Sequence, residues 1–567
     1  MAESVVVGKP APEATEPVSL AESMSRARLV PIVIGLMLGM LLAALDQAVV
    51  GTAMPHVIAD LGGTSQSISW VITAYLLAST VGVPIYGKLS DIYGRRIFFL
   101  AGMVIFLIGS ALSGTSHDMT QLILYRGIQG LGAGALMPIA QAIIGDIFPP
   151  SERGKWQGLF MAVFGLATIL GPLLGGFITD NWGWRWVFYV NMPVGVLAII
   201  TAGITMPNLV VRRQHTIDYL GSFALILWTV PLLLGLSFAG NQFDWASWQS
   251  FMLFGFAVVM LVAFFVIELR AAEPIINPAL LKNSIFSVSV LTTFLLSAGM
   301  FGAITFLPYF VQLVLGQSAT NSGIVLTPMM IGFMISSIIG GQILSRTGKY
   351  KILALLGFIV AAFGMFLLSR MSPSTTNGEL VRNMLITGLG IGVMMSLFTI
   401  VVQNAFPFRM LGEVTATLSF FRSMGGTVGL AVLGTIMSTT FASNLQASIP
   451  APLKPYIPVS KLTNLNSGFG GGTASLKKTL AHFGPQQAQA LLQQLEMAIR
   501  SSFSSAVTEV FLIGAVMMLL SFAVTLFLKE IPLRKSNTHR VAGGEAGGVA
   551  TGQPGETEQP IAVDMAS

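Results

Sequence analysis

The sequence predicts an all-α integral membrane protein with fourteen transmembrane helices. Apolar residues make up 53% of the 567 residues and charged residues only 10%, a composition too apolar for a water-soluble fold. Fourteen apolar runs are each close to the roughly 20 residues that a helix needs to cross a bilayer. Because patterns in the first six runs recur in the last six, we expect two six-helix bundles separated by an inserted helix pair.

The apolar runs are separated by polar connections. They span residues 30–50, 70–86, 97–113, 122–144, 159–178, 187–206, 220–239, 251–267, 288–311, 323–344, 352–368, 384–405, 415–437 and 510–528. Lys and Arg residues concentrate in the connections on the side of the N-terminus, as the positive-inside rule expects of cytoplasmic loops. We therefore predict a multi-pass protein of the cell (inner) membrane with both termini in the cytoplasm.

These runs divide the chain into seven regions. The regions are a cytoplasmic tail at 1–28, a six-helix bundle at 29–206, an inserted helix pair with its linker at 207–282, the first five helices of the second bundle at 283–440, an extracytoplasmic loop at 441–506, the last transmembrane helix at 507–535 and a disordered cytoplasmic tail at 536–567. Within the long loop, Leu491, Leu495 and Phe503 recur at helical spacing. They predict an amphipathic helix that rests on the outer membrane surface or caps the external mouth.

The side-chain inventory argues against an enzyme or a metal centre. The chain has no cysteine and five histidines, and the histidines lie far apart without the spacing of metal ligands. We therefore expect no catalytic residues, no metal and no cofactor. The net charge of +6 is spread thinly between the apolar runs, which indicates membrane topology and not nucleic-acid binding.

The loop between the second and third runs reads Gly-Lys-Leu-Ser-Asp-Ile-Tyr-Gly-Arg-Arg and begins at Gly87. Gly87 allows two helices to approach closely, and Gly94 supplies the positive φ that a short reversal needs. Arg95 and Arg96 carry the positive charge that marks the cytoplasmic side. Asp91 lies four residues before Arg95, within reach of an ion pair. From the residues alone, the loop is either a topology signal or a specific polar contact.

The second half of the chain repeats features of the first. A segment similar to the loop that begins at Gly87 runs from Gly341 to Lys349, with Ser345 at the position that corresponds to Asp91. Alternating glycines of the fourth run recur in the twelfth; they are Gly130, Gly132 and Gly134, and Gly388, Gly390 and Gly392. Such repeats indicate two structurally related halves.

Two ionisable residues lie inside apolar runs of the first half. Asp46 is the deepest carboxylate, and an acid at that depth is a candidate proton carrier because it is costly to keep there for packing alone. The alternative is a carboxylate that is simply hydrogen-bonded to helix neighbours. Arg126, in the fourth run, cannot lose its charge and needs a counter-charge, so it either assists Asp46 or extends to the lipid headgroups.

The fifth run combines small residues with a proline. Gly171, Pro172, Gly175 and Gly176 predict a close helix crossing and a kink. The same residues serve ordinary packing in many membrane helices, so the pattern by itself indicates either packing or a hinge.

The loop resembles the signature of the major facilitator superfamily. The pattern Gly-x-Leu-x-Asp-x-x-Gly-Arg-Arg is met at Gly87, Leu89, Asp91, Gly94, Arg95 and Arg96. In that family the loop joins the second and third helices and acts as a latch between the outward-open and inward-open states. The resemblance implies that Asp91 and Arg95 form the latch. Asp146, at the cytoplasmic end of the fourth run, is near enough in topology to complete it.

Further motifs look like those of the fourteen-helix drug:proton antiporter family. They are the segment from Leu45 to Pro55, Arg126 with Gln129 and Gly130, Gly171-Pro172 with Gly175-Gly176, residues 184–188 followed by Asn191 and Pro193, and residues 529–534. The resemblance covers residues 29–535 and implies that Asp46 couples protons, that Arg126 assists it and that the fifth-helix motif serves antiport. Ala48, where the family usually has Thr, and Ala167, where it often has Gly, depart from the pattern.

A substrate cavity is expected between the two halves. Its candidate residues are Gln129, Met300, Phe306, Gln312, Met394 and Gln403. Methionine and aromatic side chains accept many apolar shapes, although such residues often only pack or face lipid. Because Asp46 is the only carboxylate well inside a run and a dication would need a second one, we expect monovalent lipophilic cations and neutral amphiphiles to be preferred over rigid divalent cations. Arg422 is a second buried cation, with Glu413 as its only suggested partner.

Together these features predict a proton-coupled antiporter that exports amphipathic or lipophilic drugs from the cytoplasm. Its partners are then small amphipathic molecules, protons and membrane lipids, and no nucleic acid. The alternative is an exporter of one dedicated metabolite, such as an antibiotic, a siderophore or a lipid, by the same mechanism. The sequence contains no selectivity-filter pattern that would support a channel and no nucleophile constellation that would support a membrane enzyme.

Overall fold

The computed structural model describes residues 26–62, 65–206, 217–240, 242–316, 326–449 and 485–534. The expectations for the N-terminal tail before residue 26, for the Gly-rich part of the long loop at 450–484 and for the C-terminal tail from residue 535 lie outside the described residues.

Within the described ranges, fourteen helices are long and apolar enough to cross a membrane, which confirms the predicted fold class. The main helices of these spans are α1 (Arg26–Leu61), α2 (Ser65–Tyr93), α3 (Arg95–Gly114), α4 (Met119–Ile147), α5 (Pro150–Trp182), α6 (Asn191–Thr205), α7 (Tyr219–Phe238), α8 (Trp248–Glu268), α9 (Ser284–Tyr309), α10 (Thr327–Thr347), α11 (Tyr350–Ser369), α12 (Asn377–Ala405), α13 (Leu411–Ser448) and α14 (Pro485–Thr525). The sixth span, Trp186–Thr205, and the ninth, Ser284–Val314, each include one further short element. A short helix at Trp186–Tyr189 precedes α6, and a π-helical turn at Phe310–Val314 follows α9.

The two six-helix bundles share one packing pattern. In the first bundle α4 packs against α2 and α3, and α1 packs against α5 and α6. In the second bundle α12 packs against α10 and α11, and α9 packs against α13 and α14. The repeated pattern of glycines in the sequence therefore reflects a repeated arrangement of helices.

The alternating glycines occupy equivalent contacts in both halves. In α4 the first and third glycines lie against the backbone of α2, and the middle one lies against α3. In α12 the first and third lie against the backbone of α10, and the middle one lies against α11. A side chain at any of these positions would collide with the neighbouring helix, so the glycines set the helix spacing.

The two halves touch through α5 with α10 and through α2 with α13. Gly154 of α5 lies against the Gly341 backbone, and Gly158 lies against the carbonyl group of Ser337. On the other side Gly87 of α2 lies against Ala416 of α13. These close approaches all lie toward the end of the molecule that carries Arg95, here called the Arg95 end; the opposite end is the Trp184 end. The halves are therefore closed against each other at the Arg95 end.

The segment that follows α14 also crosses the Arg95 end. The Tyr350 hydroxyl group donates to the carbonyl oxygen of Lys529 at 2.7 Å, and the amide of Arg534 donates to Oδ1 of Asn404 at 3.1 Å. The amide of Ser151, at the start of α5, donates to the carbonyl oxygen of Arg534 at 3.2 Å. This segment thus joins the second bundle to the first.

The inserted helices α7 and α8 pack against each other, and α7 also contacts α2 and α13. Trp228 of α7 packs edge-on against Phe420 of α13, with ring centroids 5.8 Å apart. Val83 of α2 belongs to the same buried apolar cluster. The inserted pair therefore covers the seam between the two halves on the α2–α13 side.

The predicted amphipathic helix does not lie on the membrane surface as a separate element, and its other predicted role, capping the external mouth, stays a prediction. Helix α14 continues without a break from Pro485 to Thr525, and α13 extends to Ser448, beyond the predicted boundary at residue 440. The apolar face of the predicted amphipathic segment is buried against the end of α13, where the Phe441 and Phe503 rings lie 5.3 Å apart. Leu495 on this face is also buried. Another helix, and not lipid, covers these residues.

Candidate functional site

Asp46 lies in the middle of α1 and is almost completely buried, with 1% of its surface exposed. Its Oδ2 accepts a hydrogen bond from Nη1 of Arg126 at 2.7 Å, in a buried ion pair. Its Oδ1 accepts from Nε2 of Gln129 at 2.8 Å and from Nδ2 of Asn191 at 2.9 Å. These four residues, from α1, α4 and α6, are called the Asp46 network. The structure brings Asp46 and Arg126 together as the resemblance implies.

Arg126 is held within the protein and does not extend to the headgroups. It is buried, it donates a second hydrogen bond to Oε1 of Gln129 at 2.7 Å, and its guanidinium group lies 4.1 Å from the centre of the Tyr75 ring. A buried charge needs compensation of this kind. In this arrangement Asp46 and Arg126 neutralise each other.

Asn191 is a site residue that the sequence analysis did not assign. It donates to Asp46 and also to Oγ of Ser110 at 3.0 Å. The available signal was an amide side chain just before Pro193 in an apolar segment, because polar residues inside spans usually have a partner.

The glycines of α5 hold α1 close to it. Gly171 lies against Ala48, and Gly175 lies against Val49 and Thr52. Ala48, two residues after Asp46, thus lies where the two helices cross. Gly176 has open space around it, and Pro172, which lies within the helix, is half-buried. Two of the four predicted hinge residues therefore make the helix contact.

The predicted contact between Asp91, Arg95 and Asp146 is present at the Arg95 end. Arg95 forms an ion pair with Asp91, and its Nε lies 2.8 Å from Oδ2 of Asp146. Its Nη1 also donates to Oγ of Ser90 at 3.0 Å. Gly94 adopts a φ of 104° between α2 and α3, which favours glycine.

The carboxylate of Asp91 also joins the two halves. Oδ2 of Asp91 accepts from the backbone amide of Glu413 at 2.8 Å, in the first turn of α13. This end of a helix carries free amide groups and a partial positive charge. Nζ of Lys88 lies 3.6 Å from Oε2 of Glu413. Asp91, Arg95 and Asp146 with Lys88 and Glu413 are called the Arg95 network.

Arg96 makes different contacts from Arg95. It donates to the carbonyl oxygen of Gly203 on α6, within the same bundle. We therefore assign the contact across the two halves to Asp91, Lys88 and Glu413.

The six candidate pocket residues do not form one pocket. Gln129 belongs to the Asp46 network, and Met394 packs against Gly357 of α11 inside the second bundle. Met300 lines a small apolar cavity with Met329, Met330 and other residues of α5, α9, α10 and α12.

The other three candidates also lie apart. Gln403 connects the halves, because its Nε2 donates to the carbonyl oxygen of Gln141 at 3.1 Å and to Oγ1 of Thr415 at 3.0 Å. Phe306 lies next to Gly434 on α13. Gln312 is half-buried in the π-helical turn after α9.

The suggested pairing of Arg422 with Glu413 is wrong. Glu413 binds Lys88, whereas Nη2 of Arg422 contacts Oγ of Ser419 and Sδ of Met137. The argument for cationic substrates also loses its basis, because the carboxylate of Asp46 is already paired and buried.

Comparison with known proteins agrees with this fold. A family model described as the Major Facilitator Superfamily matches residues 36–430. The multidrug transporter protein MdtP of Bacillus subtilis (strain 168) is 40% identical over 514 residues, which cover 88% of this chain and 93% of the relative. Multidrug resistance protein 3 of the same strain is 40% identical over 500 residues, covering 88% of this chain and 94% of the relative.

Solved structures show the same fold at low identity. The proton:xylose symporter XylE matches with a TM-score of 0.58 at 15% identity, covering 91% of this chain and 98% of the symporter chain. The human organic anion transporter MFSD10 (TETRAN) matches with a TM-score of 0.57 at 14% identity, covering 88% and 99% of the two chains. The family model and the two relatives, taken together, show that this chain belongs to the Major Facilitator Superfamily.

Proposed function

We propose that the protein exports amphipathic or lipophilic compounds from the cytoplasm in exchange for protons. The observation that carries this proposal is the buried Asp46–Arg126 pair in the middle of a membrane span. The names of the two relatives that are 40% identical, a multidrug transporter protein and a multidrug resistance protein, support the export of drugs. We further propose that the protein lies in the cell membrane with the Arg95 end facing the cytoplasm.

A proton on Asp46 would force the network to rearrange. The carboxylate accepts hydrogen bonds from Arg126, Gln129 and Asn191, whereas a protonated carboxyl group must itself donate one. Arg126 keeps its charge in both cases. Proton binding therefore breaks the neutral pair and changes contacts among α1, α4 and α6.

The membrane potential gives this step its driving force. Moving one charge across 100 mV is worth about 2.3 kcal/mol, which corresponds to roughly a 50-fold concentration ratio of a neutral substrate. A proton that crosses through Asp46 can thus drive useful accumulation outside the cell.

The Arg95 network supports the alternating-access part of the proposal. It ties α2 to the first turn of α13 through Asp91 and Glu413. We infer that the described conformation is the one closed toward the cytoplasm and that opening there requires these polar contacts to separate.

The proposal is tested by drug-driven proton movement in proteoliposomes that contain Asp46→Asn. The amide keeps the shape of the carboxylate but cannot carry a proton through the cycle, so pH-driven efflux should be lost. Asp60→Asn is the matched control, because Asp60 lies on the same helix and forms an exposed ion pair with Arg185 at 2.7 Å; it should keep efflux. Undiminished, pH-dependent efflux by the Asp46 variant contradicts the proposal.

A further inference from the structure

Neither the Asp46 network nor the Arg95 network uses Arg422. This residue lies on α13, whose first residue is Leu411, so it is about 16 Å along the helix axis from the Arg95 end. A hydrocarbon core is about 30 Å thick, which places Arg422 near the middle of the membrane. Only 6% of its surface is exposed.

The contacts of Arg422 leave its charge uncompensated. Nη2 lies 3.4 Å from Oγ of Ser419 and 3.6 Å from Sδ of Met137 on α4. Both partners are neutral, and among the described residues no carboxylate oxygen lies within 4.0 Å of the guanidinium nitrogens of Arg422. Arg95 and Arg126, in contrast, each bind a carboxylate. A guanidinium group cannot become neutral in a protein, and an unpaired buried charge is costly.

Other polar groups line the same interface between the halves. Thr415, Ser419 and Arg422 follow each other at helical spacing on one face of α13. Thr415 accepts from Gln403, which also donates to the carbonyl oxygen of Gln141. Gln141 lies one turn along α4 from the methionine that Arg422 contacts. It is 1% exposed, and neither polar atom of its side-chain amide has a hydrogen-bond partner among the described residues.

We propose that Arg422 and Gln141 bind the anionic group of the substrate, a carboxylate or a sulfonate on an apolar body. The proposal rests on the export function above and names its substrate class. The planar guanidinium fork matches a carboxylate in two parallel hydrogen bonds, and the amide of Gln141 offers a further donor. Since Arg126 already pairs with Asp46, neither of these two charges competes with Arg422 for an anionic substrate near the middle of the membrane.

Binding of a matched pair of probes tests this site. The probes are 1-pyrenebutyrate and its methyl ester, which share one apolar body and differ in charge. Purified full-length protein in detergent should bind the acid more tightly than the ester. Arg422→Gln should weaken binding of the acid roughly 10- to 100-fold and leave binding of the ester unchanged. Arg422→Lys keeps the positive charge but lacks the planar guanidinium group. Its affinity for the acid should therefore lie between those of the unmodified protein and Arg422→Gln.

Arg370→Gln is the control, because Arg370 is an exposed arginine at the end of α11 and should not affect either probe. If the unmodified protein binds the acid no more tightly than the ester, the anion site is refuted, and this result does not require any variant to fold. Equal loss of both probes in Arg422→Gln, with the acid still bound tightly by Arg422→Lys, also refutes it.

Efflux of the two probes from proteoliposomes separates this inference from the proposed function. Export of the acid that is selectively lost in Arg422→Gln supports both. Export of the ester with no selective loss of the acid contradicts the anion site alone. Tight binding of the acid without proton-driven export of either probe contradicts the proposed function and leaves the anion site supported.

Discussion

Replacing Asp91 by Asn should open the contact between the two halves at the Arg95 end. Asp91 forms an ion pair with Arg95 and accepts a hydrogen bond from the Glu413 amide at 2.8 Å. Asn has nearly the same shape, but it carries no charge and offers one acceptor oxygen instead of two. The asparagine side chain can therefore no longer act as a charged acceptor for both Arg95 and the amide of Glu413.

The size of the effect follows from the contacts that remain. A hydrogen bond to a charged group contributes about 1.5–3 kcal/mol. Arg95 keeps Asp146 as a partner at 2.8 Å, and Glu413 keeps Lys88, so we expect the lower end of this range. A change of about 1.4 kcal/mol shifts an equilibrium tenfold. The open state should therefore become about ten times more populated relative to the closed state.

Cysteine labelling can measure this shift because the chain has no cysteine of its own. Ala416 is buried where α13 meets Gly87 of α2, so Ala416→Cys reports on separation of the halves at the contact that Asp91 holds. Its reaction with a membrane-permeant maleimide should be about tenfold faster when Asp91→Asn is also present. Asp118→Asn is the control, because Asp118 accepts from the Gln121 amide at 2.8 Å within one bundle. Equal labelling rates with and without Asp91→Asn, or equal acceleration by the control, would refute the reasoning.

Two further substitutions test the packing and the polar support of the spans. Asn191→Leu removes one donor to the Asp46 carboxylate, so efflux should fall about tenfold; Asn181→Leu, at an exposed site on α5, should not reduce it. Gly341→Ala places a methyl group against the carbonyl oxygen of Gly154 and should destabilise the protein by about 1–3 kcal/mol, measured as a lower thermal midpoint in detergent. Gly255→Ala, which meets no atom within 4 Å, should leave the midpoint unchanged.

The number of helices and their division into halves could be predicted from the sequence because hydrophobic length and glycine spacing are local properties of the chain. The Asp46–Arg126 pair could be predicted for a different reason: a buried charge needs a counter-charge, and few are available. The Arg95–Asp146 pair could be expected from the family resemblance of the loop and from the position of Asp146 at the same end of the neighbouring helix. The sequence offered no comparable signal for the partner of Asp91 in the second bundle, because that partner is a backbone amide.

Two of the errors in the sequence-based interpretation have clear physical causes. An apolar stripe such as that of Leu491, Leu495 and Phe503 has the same spacing whether lipid or another helix covers it, and here α13 covers it. The pairing of Arg422 with Glu413 followed from sequence proximity alone, whereas Lys88 of the other bundle reaches Glu413. Contacts between the halves depend on their relative position, which local patterns do not encode.

The two contacts between the halves differ in chemistry although the halves are related. Where α2 meets α13, the carboxylate of Asp91 is held by a cation and a helix end. At the related crossing of α10 with α5, Ser345 takes the place of the acid, its hydroxyl group is buried without a partner in the described chain, and Gly154 and Gly341 bring the backbones together. Close packing without charge changes little as a proton or a substrate binds, whereas an ion-pair network responds to charge nearby. We therefore infer that the α5–α10 crossing acts as the pivot and that the α2–α13 crossing is the contact that opens and closes.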